Sequence, residues 1–173
     1  MYLKIIGSLF LLTSTASIGY LKAENLNQRV KLLKEFKHMM ICLQGELRFH
    51  RAVLWEAFEN VSKRVGNPFA AFLEEISCRL DSKEYESFEL LWEETSRSLL
   101  RKEGFAKEDR QLFEMLGASL GHLNITMQSD SLNLAILQTD EHIERAKEQF
   151  QKKGKLYQTM GITMGAFLVL LII

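Results

Sequence analysis

Few residues of this chain have the types and spacing that chemistry requires. Glu46 and His50 are four positions apart, so a helix would place both on one face, where they could contact one metal ion. Helical bundles that hold two metal ions need inward-facing Glu-x-x-His pairs on two helices and further glutamates, and the sequence does not supply that set. Glu141 and His142 are adjacent, which is the wrong spacing. We therefore interpret these side chains as solvated residues and predict no metal site.

Other catalytic patterns are also missing from the sequence. The paired acids Glu74-Glu75 and Glu93-Glu94 are neighbours, so on a helix they point in different directions and cannot act as a carboxylate dyad. The sequence has no glycine-rich phosphate loop, no nucleophile elbow and no catalytic pairing of cysteine with histidine. We predict that the protein is not an enzyme and that it binds no cofactor.

The cysteines and tryptophans favour packing roles over chemistry. Cys42 and Cys78 are far apart and fit no metal or redox spacing, so we interpret both as reduced, apolar core residues. That interpretation agrees with a reducing compartment. Trp55 and Trp92 are interpreted as anchors of a helical bundle.

Composition predicts one all-α domain. The chain has 173 residues, of which 47% are hydrophobic and 25% charged, so it is neither disordered nor wholly embedded in lipid. Its net charge is zero, which argues against nucleic acid as a partner. The single proline, Pro68, and the scarcity of turn dipeptides favour helices over sheet.

Apolar residues recur at steps of three and four along most of the chain. This pattern predicts a bundle of about six helices, with Gly66 in the left-handed conformation at a helix end and Asn67 as the next N-cap. The predicted helices cover residues 25–49, 53–65, 68–80, 84–101 and 107–120, and a last long helix follows a turn at 121–124.

The two ends of the chain are uncharged and largely apolar. Residues 5–21 and 157–173 are about 17 residues each, the short end of what spans the hydrocarbon core of a membrane. We predict an N-terminal transmembrane anchor over residues 1–22, a helical bundle over 23–156 and a C-terminal transmembrane anchor over 157–173.

Basic residues crowd the inner edges of both ends. Five lie between Lys22 and Lys37 against two acids, and five lie between Arg145 and Lys155 against one acid, whereas Lys4 stands alone outside. Lysine and arginine near membrane segments stay on the cytoplasmic side, so this distribution predicts a cytoplasmic bundle in contact with membrane lipid. The alternative is an exported, tail-anchored protein whose signal peptide is cleaved, with a mature N-terminus near Ile18.

Small residues in the two ends predict a helix-packing surface. Gly161 and Gly165 form a G-x-x-x-G step, and Thr15 and Gly19 form a looser small-x-x-x-small step. Such steps let helix backbones approach closely in lipid. The partner surface could belong to the other end of the same chain or to another subunit, so a homo-oligomer stays open.

Several short segments follow one another in a specific order between the ends. They are residues 43–49, 54–58, 116–121, 141–155 and 156–161, with Trp92 and Gln128 among them. Their order and spacing resemble the stage III sporulation protein AB family of endospore-forming bacteria, which has a similar Leu-Glu-x-Glu-Ile-x-Tyr segment at 43–49. The sequence departs from the family at Val53, where proline is usual, at Gln44, and at Leu123-Asn124-Ile125, which replaces an aspartate-bearing turn.

The resemblance implies a function that the residues alone do not reach. The family is similar to the cytoplasmic domain of type II secretion F-proteins, a bundle of about six helices. It implies a membrane platform of the channel between mother cell and forespore, located in the mother-cell membrane. The implied partners are the secretion-type ATPase of the same set, the AA protein, and other membrane proteins of the channel complex. A generic membrane-tethered helical adaptor is the alternative.

Overall fold

The chain is all-α. The structure, a computed structural model, describes residues 2–50, 53–83, 85–102, 104–122 and 125–172, and these residues contain no strand. The elements are α1 (Tyr2–Gly45), a π-helical turn (Glu46–His50), α2 (Leu54–Ser62), α3 (Phe69–Asp81), α4 (Phe88–Lys102), α5 (Lys107–His122) and α6 (Ile125–Ile172). The six α-helices confirm the predicted helical bundle. Positions 123 and 124 of the predicted turn lie outside the described residues.

The helices divide into two compact units. One unit, the helix pair, comprises Met1–Val30 and Glu144–Ile173, and the other, the bundle, comprises Lys31–Ile143. The domain boundaries predicted at residues 22/23 and 156/157 fall inside the helix pair, because α1 and α6 continue through both positions without a break.

An aromatic cluster forms the core of the bundle. The ring centroid of Phe113 lies 5.1 Å from those of Phe36, Phe72 and Trp92, so one ring of α5 contacts α1, α3 and α4. The Trp92 indole N–H donates to the Phe113 carbonyl at 3.1 Å, which satisfies the one polar atom of that side chain. Trp92 is 2% exposed, as predicted for an anchor.

Two packing interpretations are wrong. Trp55 is 36% exposed and is not a core anchor. Cys78 is exposed and Cys42 is half-buried, so neither cysteine fills the core. On α3 the buried positions are Phe69, Phe72, Leu73, Ile76 and Ser77, and Cys78 lies on the opposite side of the helix.

The residues that end and cap the helices differ from those that the sequence predicted. None of the described glycines has a positive φ, so Gly66 is not left-handed, and Lys83 takes that conformation instead with φ of 57°. Asn67 does not cap α3, because Pro68 holds the N-cap position without a side-chain hydrogen bond. Ser87 caps α4 by accepting the N–H of Leu90 at 3.2 Å.

Candidate functional site

The helix pair brings together three of the four small residues that the sequence singled out. Gly19 and Gly161 face each other so closely that a Cβ on Gly19 would lie 2.5 Å from the Tyr157 carbonyl oxygen. A Cβ on Gly161 would lie 2.8 Å from the Thr15 carbonyl oxygen. Only hydrogen fits at either position, so the two backbones are in direct contact.

The same packing continues to either side of this contact. Gly165 is buried, and a Cβ on Gly154 would lie 4.0 Å from the Cβ of Ala23. The helices of the pair therefore pack through small residues of one chain, which is one of the two arrangements that the sequence left open. A role of this packing in a membrane stays a prediction.

Hydroxyl groups in the pair are satisfied by their own helices. Thr13, Ser14 and Ser17 on α1 donate to carbonyl oxygens three or four residues earlier, at 2.7–3.0 Å. Thr159 and Thr163 on α6 do the same at 2.8 and 3.0 Å. A hydroxyl bonded in this way needs no water, so these residues add little polarity to the helix surface.

The outer surface of the pair is rich in large apolar side chains. Each of the following is more than half exposed: Phe10, Ile18, Tyr20, Leu21, Leu156, Met160, Ile162, Met164, Phe167 and Leu170. Exposed apolar area of this extent marks a surface that contacts a membrane or another protein. Within the part of the chain that the structure describes, no helix combines the length and the apolar character that crossing a membrane requires.

Basic side chains occupy the opposite end of the pair. The Lys22 ammonium lies 5.6 Å from the centroid of the Tyr157 ring, and Arg29 donates to the side-chain oxygen of Gln149 at 3.1 Å. Lys152 pairs with Glu148 along its own helix at 3.3 Å. The pair is thus apolar toward the chain ends and charged toward residues 30 and 144.

The bundle holds a buried carboxylate on the π-helical turn. Glu46 is 2% exposed, and its Oε1 lies 2.7 Å from a guanidinium nitrogen of Arg64. Asn60 donates to Oε2 at 3.3 Å. Asn60 lies in the last turn of α2 and Arg64 lies two residues after its end, so these contacts join the C-terminal end of α2 to the π-helical turn that follows α1. Interpreting Glu46 as a solvated residue is therefore wrong.

A second buried carboxylate joins α5 to α6. Asp109 is 1% exposed, and its Oδ1 lies 2.8 Å from Nδ1 of His142. Its Oδ2 accepts the backbone N–H of Ala106 at 2.9 Å, which caps the start of α5. His142 is therefore a structural partner and not a solvated residue as the sequence suggested.

Further hydrogen bonds join α6 to other helices of the bundle. Asp140 accepts from Lys37 at 2.6 Å through both oxygens, which joins α6 to α1. Gln128, one of the residues that carry the family resemblance, donates to the Leu120 carbonyl at 2.7 Å and caps the end of α5. The Gln44 amide donates to the Ser129 carbonyl at 3.1 Å.

These contacts leave no metal-binding group among the described residues, since no three acidic, histidine or cysteine side chains meet there. The sequence contains one Glu-x-x-His step, from Glu35 to His38, whereas a bundle that holds two metal ions needs two such steps. His38 is exposed, and its Nε2 lies 3.8 Å from the Cys42 sulfur. The side chain of His50 is outside the described set.

Sequence reasoning missed Glu46 and Asp109 as buried residues, although a signal was available for Asp109. An acid at the third position of a helix often accepts the N–H of the N-cap residue. Glu46 has no such local signal, because its partners are 14 and 18 positions further along the chain.

The fold defines an all-α helical-bundle protein extended by a pair of long terminal helices. Residues 4–173 match the family described as stage III sporulation protein AB, and the chain belongs to that family. The stage III sporulation protein AB of Bacillus subtilis (strain 168) is 21% identical over 170 residues, which cover 98% of this chain and 99% of that relative. These findings confirm the resemblance seen in the sequence.

A solved structure of a stage III sporulation protein AB has the same fold. It superposes with a TM-score of 0.64 at 18% identity and covers 71% of this chain and 96% of that chain. At this level of identity, the likeness concerns the fold alone.

Proposed function

We propose that the protein is a non-enzymatic membrane platform of the sporulation channel between mother cell and forespore. In this role the helix pair lies in the mother-cell membrane, and the bundle docks a secretion-type ATPase in the cytoplasm. The observation that carries the proposal is the helix pair, whose exterior is apolar toward the chain ends and basic at its other end.

The contacts of the pair support its insertion as one unit. Gly19 and Gly161 bring the backbones of the two helices into direct contact. The apolar side chains then point outward, where a membrane offers them an apolar environment. Hydroxyls bonded to their own backbone add no unsatisfied polar atoms in lipid.

Charge supports the cytoplasmic placement of the bundle. The basic residues of the pair lie within residues 22–30 of α1 and 144–155 of α6, and only Lys4 lies near a chain end. Retention of such residues on the cytoplasmic side would place both chain ends on the far side of the membrane.

Exposed aromatic residues support a docking role for the bundle. Phe49 is 78% exposed and Trp55 is 36% exposed, with the exposed Val53 between them. Aromatic residues are enriched at protein interfaces, where they contribute most of the binding energy. Because Phe49 lies on the π-helical turn and Trp55 lies at the start of α2, close to it in the chain, we propose that this surface contacts the ATPase.

Native Cys78 provides a direct test of topology because its side chain is exposed. In a Cys42→Ala variant, a membrane-impermeant maleimide should label Cys78 only after cells are permeabilised. A Cys42→Ala/Cys78→Ala variant supplies the background signal. Labelling in intact cells would place the bundle outside and overturn the proposal.

Co-purification tests the docking surface. The full chain in detergent should retain the ATPase, and Phe49→Ala or Trp55→Ala should reduce the retained amount at least tenfold if these residues are hot spots. Met115, which is 64% exposed on α5, provides the matched control. Equal loss in Met115→Ala, or no loss in either aromatic variant, would remove the proposed surface.

A further inference from the structure

The helix pair contains two grooves of similar size and different chemistry. The first has a volume of about 600 Å³ and is lined by Thr15, Ile18, Gly19, Lys22, Tyr157, Met160, Gly161, Thr163, Met164 and Phe167. The second has a volume of about 680 Å³ and is lined by Ala16, Ser17, Tyr20, Leu21, Gln158 and Ile162. The first groove is lined by one charged residue, Lys22, whereas no charged residue lines the second.

The first groove is apolar along its whole length except at one end. Its two threonines do not make it polar, because Thr15 donates to the Leu11 carbonyl and Thr163 donates to the Thr159 carbonyl. Ile18, Met160 and Met164 line it with apolar side chains, and Gly19 and Gly161 line it where the two backbones meet. An acyl chain can bind in such an apolar groove because its methylene groups lose no hydrogen bonds to water when they are buried.

The cation stands at the end of the groove that faces the basic residues. The Lys22 ammonium lies over the Tyr157 ring, and the described residues give it no carboxylate partner within ion-pair distance. From Tyr157 to Phe167 the groove follows ten residue-to-residue steps of α6, or about 15 Å at the rise of an α-helix. That length is about half the hydrocarbon core of a membrane, which is the depth of one leaflet.

We propose that this groove is a binding site for one anionic phospholipid. The acyl chain lies between Ile18 and Met164, and the phosphate accepts a hydrogen bond from the Lys22 ammonium beside Tyr157. Charge complementarity selects an anionic lipid over a zwitterionic one, as in basic pockets between membrane helices. The proposal rests on the proposed function, because it requires the helix pair to lie in the membrane.

Native mass spectrometry of the full chain in detergent tests the site. The probes are phosphatidylglycerol and phosphatidylcholine with the same acyl chains, and we expect about fivefold more bound phosphatidylglycerol, the effect of one lysine near an anionic group. Lys22→Gln should abolish this preference. Lys155→Gln removes an exposed lysine that does not line the groove, so it should leave the preference unchanged.

A second pair of variants tests the position of the acyl chain. Met160→Trp fills the first groove and should lower lipid retention, whereas Ile162→Trp fills the second groove and should not. Equal binding of the two lipids, equal loss in both lysine variants, or equal loss in both tryptophan variants would overturn the site. A dimer that forms without bound lipid would show that a second copy of the chain occupies the groove. That result would also overturn the lipid site.

Vesicle flotation separates failure of this site from failure of the proposed function. If the full chain does not float with phosphatidylcholine vesicles, the membrane role itself is wrong. If it floats but shows no preference for phosphatidylglycerol in the mass spectrometer, only the lipid site is wrong.

Discussion

Nδ1 of His142 on α6 lies 2.8 Å from Oδ1 of Asp109 on α5, and the other oxygen of Asp109 accepts the N–H of Ala106. One buried carboxylate thus caps the start of α5 and joins it to α6. Removing the carboxylate would leave a backbone N–H and an imidazole nitrogen without these partners. We therefore expect Asp109 to contribute more to stability than a charged residue on the surface does.

Asp109→Ala should destabilise the bundle by about 1–3 kcal/mol, the cost of leaving buried polar groups unsatisfied together with loss of the cap. Urea unfolding of the full chain in detergent, followed by tryptophan fluorescence, measures this change. Glu114→Ala on the exposed face of α5 is the control and should change stability by less than about 0.5 kcal/mol. Equal stability of the two variants would contradict a role for the pair.

The ion pair between Glu46 and Arg64 should behave differently from ion pairs on the surface. Arg64→Gln removes a cation that lies 2.7 Å from the buried Glu46 carboxylate and should cost about 1–3 kcal/mol in the same urea titration. Glu46→Gln combined with Arg64→Gln should recover part of that loss, because no buried charge remains. Lys63→Gln removes a solvated pair with Glu59 and should cost less than about 1 kcal/mol.

Glycine-to-alanine substitutions should change stability differently at two positions of the chain. A Cβ on Gly117 would overlap the Trp92 ring, so Gly117→Ala should destabilise the bundle by about 1–3 kcal/mol. A Cβ on Gly45 would meet nothing within 4 Å. Gly45→Ala should therefore be neutral or stabilising by up to about 1 kcal/mol, since alanine favours helix. Thermal unfolding compares the two, and equal effects would contradict the tight packing at Trp92.

The helix pair predicts a specific disulfide. Ala23→Cys with Gly154→Cys, in a chain without Cys42 and Cys78, should form an intrachain bridge on oxidation, because a Cβ–Cβ distance of 4.0 Å suits a disulfide. Gel mobility with and without reductant detects it. Ala23→Cys with Gly165→Cys is the control and should stay reduced. An interchain bridge in the first variant would show that the helices pair between subunits instead.

The two native thiols should differ in their response to pH. Burial raises the pKa of the Cys42 thiol above its usual range, and the nearby Arg64 opposes this only in part. A raised pKa means less thiolate at neutral pH, so alkylation of Cys42 should be slow near pH 7 and should accelerate as the pH rises. Single-cysteine variants measured from pH 7 to 10 test this. Cys78, which is exposed, should react faster at neutral pH.

Most of the architecture could be predicted from local patterns. Residues such as Phe113 and Leu116 repeat at helical spacing, and the structure buries both. Capping was less predictable: Asn67 had the right residue type, but Pro68 took the N-cap position. A capping preference is worth only about 1 kcal/mol, so the packing of the helix against its neighbours easily overrides it.

The sequence by itself determined the all-α class, the order of the helices and the family, because each follows from the residue types and spacing along the chain. Only the tertiary structure decided that Glu46, Asp109 and His142 are internal, and that Gly19 meets Gly161 of the same chain. Burial depends on helices that are distant in sequence, and the apolar period of one helix carries no information about which partner covers its edges.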